Sequence, residues 1–200
     1  IRLSLVGSEM CIRDRNINFE GKSITVSSLY LIGGDSLLIG TTIIDAQESG
    51  SVVTFASGED SVSILQGFTL QNGNGNNEDP DENGSYYTYG GGIYCENSDP
   101  TIRDCIIRDN VANEGGGGGI FCYESSPIFI GCTIFGNETD DAGGGLYSRS
   151  SSSPEFYNCV FYDNLAEFGG GCYLRNESTP IMENVVFNDN TCLLYTSDAA

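Results

Sequence analysis

The chain contains no histidine, and only 8 of its 200 residues are lysine or arginine, against 28 aspartates and glutamates. The first absence argues against a zinc site, because the cysteines are spread along the chain and no imidazole is present to join them. The shortage of cations, with a formal net charge of −20, argues against nucleic acid and against anionic membrane surfaces as partners. No apolar run approaches the roughly 18 residues that a membrane-spanning helix needs. An apolar period of 3.6 residues is also missing, so helical repeats are not expected. The L-x-x-L-x-L spacing of leucine-rich repeats is absent.

What is present is a fourfold repeat starting at Gly90: residues 90–110, 117–137, 143–164 and 169–190. Each opens on a glycine triplet. Prolines fall at Pro100, Pro127, Pro154 and Pro180, and closing asparagines at Asn110, Asn137, Asn164 and Asn190, both in steps of 27, 27 and 26. A fixed period of this size marks a solenoid. Each repeat holds three short alternating runs bounded by Gly, Pro, Asn and Asp, which read as strands joined by turns. Three strands per coil of 26–27 residues give an all-β parallel β-helix, with coils stacked at roughly 4.8 Å. One coil cannot bury its own apolar face, so stacking makes the core.

The inward columns follow from the alternation. They are Ile93, Ile120, Leu146 and Cys172; Cys95, Cys122, Ser148 and Leu174; Ile102, Phe129, Phe156 and Met182; Cys105, Cys132, Cys159 and Val185; and Ile107, Ile134, Phe161 and Phe187. Two polar columns mark corners: Asp104, Gly131, Asn158 and Asn184, and the four closing asparagines. These residue types tolerate a left-handed backbone, and stacked asparagines can bond from coil to coil. The glycine triplets suit close packing between coils or a bend. No lysine follows them in the manner of a phosphate-binding loop. The cysteines track the coil period and read as buried apolar fillers, with cross-coil bridges such as Cys95 to Cys122 the alternative.

The arrangement GGGI-[YF]-C…SP-x-I-x-[ND]-C-x-I-x-x-N resembles the right-handed parallel β-helix repeats of the pectin-lyase-like superfamily. More narrowly, it is similar to Gly-rich β-helix segments of large secreted or surface-attached bacterial proteins. The resemblance covers residues 16–191. It implies right-handedness and an extracellular location, either free or at the cell surface. It implies little about activity, because the fold hosts lyases, hydrolases and adhesins.

The domain layout is a single β-helix of about six coils over 16–191, interrupted by an insertion at 73–89. The ends, 1–15 and 192–200, fall outside the pattern and resemble translated sequencing adapters. They are set aside, and the β-helix is read as a fragment of a longer protein. Each sign of charge occurs three times in these ends, so the net charge is unaffected. Strand edges left open at the ends of such a fragment invite end-to-end self-association.

Candidate sites are few. Tyr94, Phe121, Tyr147 and Tyr173 form an outward column expected to make a flat strip for sugar rings; the alternative is that these aromatics only stabilise the sheet or lie under the insertion. Glu78, Asp79, Asp81 and Glu82 in the insertion suit a hard cation such as calcium, the alternative being a solvated acidic loop. Glu114, Asp140, Asp141 and Glu167 recur before the glycine triplets and form either a second cation track or a repelling surface.

Pectate-lyase-like enzymes of the resembled family use calcium on aspartates and a basic residue as proton acceptor. The coils hold Arg103, Arg108, Arg149 and Arg175, but no matching motif surrounds them. Polygalacturonase-type hydrolases use a histidine that this chain lacks. No catalytic residue is therefore assigned. The sequence reads as a non-enzymatic module, either a structural stalk or a glycan-contacting surface, with a polysaccharide in view as partner. The alternative is a lyase-like enzyme whose active site is degenerate or lies outside this stretch.

Overall fold

The computed structural model describes residues 16–77 and 87–193, together with the backbone of Leu3–Ser4. Three parallel sheets run the length of the solenoid. The first stacks Ile17–Asn18, Val53–Phe55, Ile93–Glu96, Ile120–Tyr123, Leu146–Arg149 and Cys172–Leu174. The second stacks Thr25–Ser27, Ile64–Gln66, Thr101–Arg103, Ile128–Ile130, Glu155–Tyr157 and Ile181–Glu183. Leu3–Ser4 pairs parallel with Thr25–Ser27 at its edge. The third sheet stacks Ile43–Asp45, Thr69–Gln71, Ile106–Arg108, Thr133–Phe135, Val160–Tyr162 and Val186–Asn188.

The register is the one the repeat predicts. Ile93 pairs Ile120, which pairs Leu146, which pairs Cys172. Ile102, Phe129, Phe156 and Met182 stack in the second sheet, and Ile107, Ile134, Phe161 and Phe187 in the third. Apart from Met182 and Phe187 of the last coil, these side chains make one continuous core that also takes in Phe19, Ile44, Phe55, Leu65, Phe68 and Leu70. Phe129 and Phe156 stack at 4.7 Å between ring centres. In the last coil, Leu174, Met182 and Phe187 are exposed because no described coil lies beyond them.

Two features depart from the sequence reading. A fourth parallel sheet of short strands, Val111–Ala112, Glu138–Thr139, Leu165–Ala166 and Thr191–Cys192, runs along the segment after the closing asparagines. Runs of two residues are too short to show an alternation. The opening coil also carries two short helices, Tyr30–Gly33 and Leu37–Thr41, where later coils turn in two residues. The first ends at Gly34, whose φ is +67°. The second lies against the third sheet, where the Thr69 hydroxyl donates to the Ile39 carbonyl.

The left-handed corners are placed one residue earlier than expected at the second polar column. Asp104, Gly131, Asn158 and Asn184 do have positive φ. At the other corner the left-handed residues are Asp109, Gly136, Asp163 and Asp189, each directly before a closing asparagine. That frees the asparagine itself to turn inward.

Candidate functional site

The inward asparagines form a buried ladder. Asn110 Nδ2 donates to Asn137 Oδ1 at 3.0 Å, Asn137 Nδ2 to Asn164 Oδ1 at 3.0 Å, and Asn164 Nδ2 to Asn190 Oδ1 at 2.8 Å. The backbone N–H of each asparagine also donates to the Oδ1 of the next. The second Nδ2 proton reaches back to Leu70, Ile107, Ile134 and Phe161 carbonyls in turn. Gly73 starts the series by donating its N–H to Asn110 Oδ1. Asn110, Asn137 and Asn164 are wholly buried, and a buried amide is tolerated there because its hydrogen bonds are made.

The glycine triplets belong to the same device. A Cβ on Gly92 would lie 2.6 Å from the Gly119 carbonyl oxygen and 2.9 Å from Asn110 Nδ2. On Gly119 it would lie 2.7 Å from the Gly145 oxygen and 3.0 Å from Asn137 Nδ2. The third glycine of each triplet therefore sits directly on the ladder, and any side chain would push the coils apart.

A second ladder occupies the corner between the first and second sheets. Ser98 N–H donates to Ser125 Oγ, and Ser125 N–H donates to Ser152 Oγ, both at 3.1 Å. The Ser125 and Ser152 hydroxyls donate to carbonyls of their own coil, those of Tyr123 and Arg149, while the one Ser98 proton is shared between the Glu96 carbonyl and the Glu59 carboxylate. At one end Ser98 Oγ contacts Glu59, a buried carboxylate that also accepts the N–H groups of Gly21 and Ser57. Burial works to raise the Glu59 carboxyl, but the hydrogen bonds from Gly21, Ser57, its own backbone and Ser98 outweigh it and hold the group below its ordinary value. At the other end Ser178 Oγ is buried and unpartnered. The sequence signal was present: a serine stands two residues before each repeat proline.

Tyr94, Phe121, Tyr147 and Tyr173 do stack in register on the outer side of the first sheet. They do not make an open strip. Phe121 is 0 % exposed, Tyr147 3 % and Tyr94 7 %. Tyr89, on the returning leg of the insertion, packs on Phe121 with ring centres 4.6 Å apart. The Arg149 guanidinium lies 4.8 Å from the Tyr89 ring centre, 5.2 Å from that of Phe121 and 5.0 Å from that of Tyr123. Apolar rings on an outer face gain more by being covered than by facing water, and the cation over their faces adds to that. Tyr123 and Tyr173 remain half-buried at the rim.

The insertion is anchored by Asn76–Asn77 pairing antiparallel with Thr88–Tyr89, which in turn pairs parallel with Glu114–Gly116. Glu78, Asp79, Asp81 and Glu82, the candidate calcium ligands, lie outside the described residues. Elsewhere, Asp140 Oδ1 accepts the Glu114 N–H. Burial, then Glu167 and Asp140, raise the Asp141 carboxyl. Among the described residues, no three acidic, cysteine or histidine groups converge as a metal site would require. Arg108 is occupied by Asp109 and Gln71 at 2.8 and 2.6 Å.

The cysteines at 95, 105, 122, 132, 159, 172 and 192 are free thiols. Cys105, Cys132 and Cys159 donate to backbone carbonyls within the core. Burial pushes the Cys105 thiol up to about 12, so it is neither a nucleophile nor a thiolate ligand at neutral pH.

An outward aromatic pair on the third sheet was not foreseen. Phe135 and Tyr162 stack on the third sheet with ring centres 4.7 Å apart and planes within 5°. Their faces are turned to each other, so the stack presents ring edges to solvent. Both lie two residues before a closing asparagine, so the pair is a periodic feature of the sequence.

Comparison with curated proteins returned no match, and neither did comparison with solved structures. The family model described as right handed beta helix region matches residues 7–200, running into both end segments that the sequence pattern sets apart. With 26–27-residue coils, parallel sheets in register and this match over nearly its full length, the chain belongs to the right-handed β-helix family.

Proposed function

We propose that the chain is a non-enzymatic module acting outside the cell or at its surface as a rigid stalk. The observation that carries this reading is the pair of buried side-chain ladders. The asparagine ladder ties each regular coil to the next, and the serine ladder adds a second tie between the first three, so the coils resist both bending and sliding. The net charge of −20 suits a solvated outer surface. Small-angle scattering on the monomer tests the stiffness a stalk needs: the expected result is one rigid particle whose dimensions do not change with salt, and a flexible profile would contradict it. The exposed Leu174, Ile181, Met182, Val186 and Phe187 of the last described coil favour end-to-end self-association, read as concentration-dependent sedimentation.

A carbohydrate-contacting role has its support at the rim of the aromatic cluster, where Tyr123 and Tyr173 are half-buried and the Arg149 guanidinium lies over the Tyr123 ring. Tyr94 and Tyr147 are too deeply covered to serve as the contact themselves, and their joint removal would cost stability. A glycan array run with calcium and with chelator tests this role. Binding lost in Y123A/Y173A supports it; binding unchanged in that variant removes it.

A further inference from the structure

Two described asparagines begin the tripeptide Asn-x-Ser/Thr, the acceptor pattern for N-linked glycans: Asn137-Glu138-Thr139 and Asn176-Glu177-Ser178. The fold separates them. Asn137 is 0 % exposed, and its Nδ2 is committed to the Ile107 carbonyl and to Asn164 Oδ1. A sugar on that nitrogen would displace a rung of the ladder and the glycine triplet resting on it. Asn176 is exposed, on the turn between Cys172–Leu174 and Ile181–Glu183, with φ of +53°. Its backbone carbonyl accepts the Ser151 N–H, while its side-chain amide makes no hydrogen bond among the described residues. The turn is held by its backbone and leaves the amide in solvent.

We propose that Asn176 is an N-glycan acceptor site and that Asn137, with the same tripeptide pattern, cannot carry a glycan in the folded chain. The donor is a lipid-diphosphate-linked oligosaccharide. Asn176 Nδ2 attacks the anomeric carbon, the N–C bond forms, the carbon–oxygen bond to the diphosphate breaks, the lipid diphosphate leaves with the bonding pair, and the amide loses one proton. The inference rests on the extracellular reading above, because the donor is met on export.

The test supplies export itself, so its failure would not bear on the stalk. The full 200-residue chain, with a secretory leader fused in front, is translated with endoplasmic-reticulum microsomes. An N83Q background removes the tripeptide Asn83-Gly84-Ser85, which lies outside the described residues. Chains protected inside the vesicles are scored for a mobility shift that an N-glycan amidase reverses. One shift is expected in N83Q, absent in N83Q/N176Q and N83Q/S178A, retained in N83Q/S178T, and carried by chains that resist protease after the vesicles are opened. The proposal is overturned by protected N83Q chains without a shift, by a shift that survives N176Q, or by glycosylated chains that have lost their protease resistance.

Discussion

The two laddered corners of the coil do the same job with different chemistry. At the asparagine corner each rung makes an N–H to Oδ1 bond and an Nδ2 to Oδ1 bond to the next coil, and an Nδ2 to carbonyl bond to the previous one. At the serine corner a rung accepts one N–H from the neighbouring coil and spends its own proton locally. The asparagine corner is therefore cross-linked on both sides of every rung. The serine corner is a single file of bonds, begun by the Glu59 carboxylate and open at Ser178. A buried polar group stabilises only when satisfied, so the corners should differ in how much they lose when one rung is removed.

Asn137→Ala breaks the comparison hardest. It leaves the Asn110 N–H and Nδ2 groups without their partner and takes one donor each from the Ile107 carbonyl and Asn164 Oδ1, all in the interior. At about 1–3 kcal/mol for each unsatisfied group, partly relieved by relaxation, the expected loss is about 3–5 kcal/mol by denaturant unfolding.

Glu59→Gln sharpens the head of the serine file. The Glu59 carboxyl is held below its ordinary value in the folded state, so its contribution is fully present above the unfolded-state pKa and is lost as pH falls through the lower, folded-state pKa. The variant should be about 1–3 kcal/mol less stable at neutral pH, and the difference should shrink in acid. Parallel unfolding curves from pH 7 down through the acid range check this.

Ser125→Ala orphans only the Ser98 N–H and should cost about 1–2 kcal/mol. Ser178→Ala removes a hydroxyl that has no partner, and its effect should stay within about 0.5 kcal/mol. Equal losses for Asn137→Ala and Ser125→Ala would erase the distinction between the corners.

The period showed the solenoid, the columns and the asparagine ladder because each rests on one residue type recurring at one position. Gly92 and Asn110 each stood out in the same way, but their contact did not: they are 18 residues apart and meet only when the coil closes. The serine file was hidden by variety around it, since Ser150, Ser151 and Ser153 crowd Ser152 and offer no unique rung. Alternation placed Phe121 on the outer face correctly. It could not show that Tyr89 and Arg149, 32 residues before and 28 after, would cover it, because cover comes from neighbouring coils and the insertion. The helices at Tyr30–Gly33 and Leu37–Thr41 escaped because runs of four and five residues are too short to show a helical period.

The central claim is that the coils form one stiff unit tied through the asparagine ladder. Amide hydrogen exchange on the native chain tests it most directly. The N–H groups of Asn110, Asn137 and Asn164 are expected to exchange together and most slowly, through opening of the whole stack. Exchange of these amides coil by coil, at rates like those of the exposed Asp140 region, would contradict it.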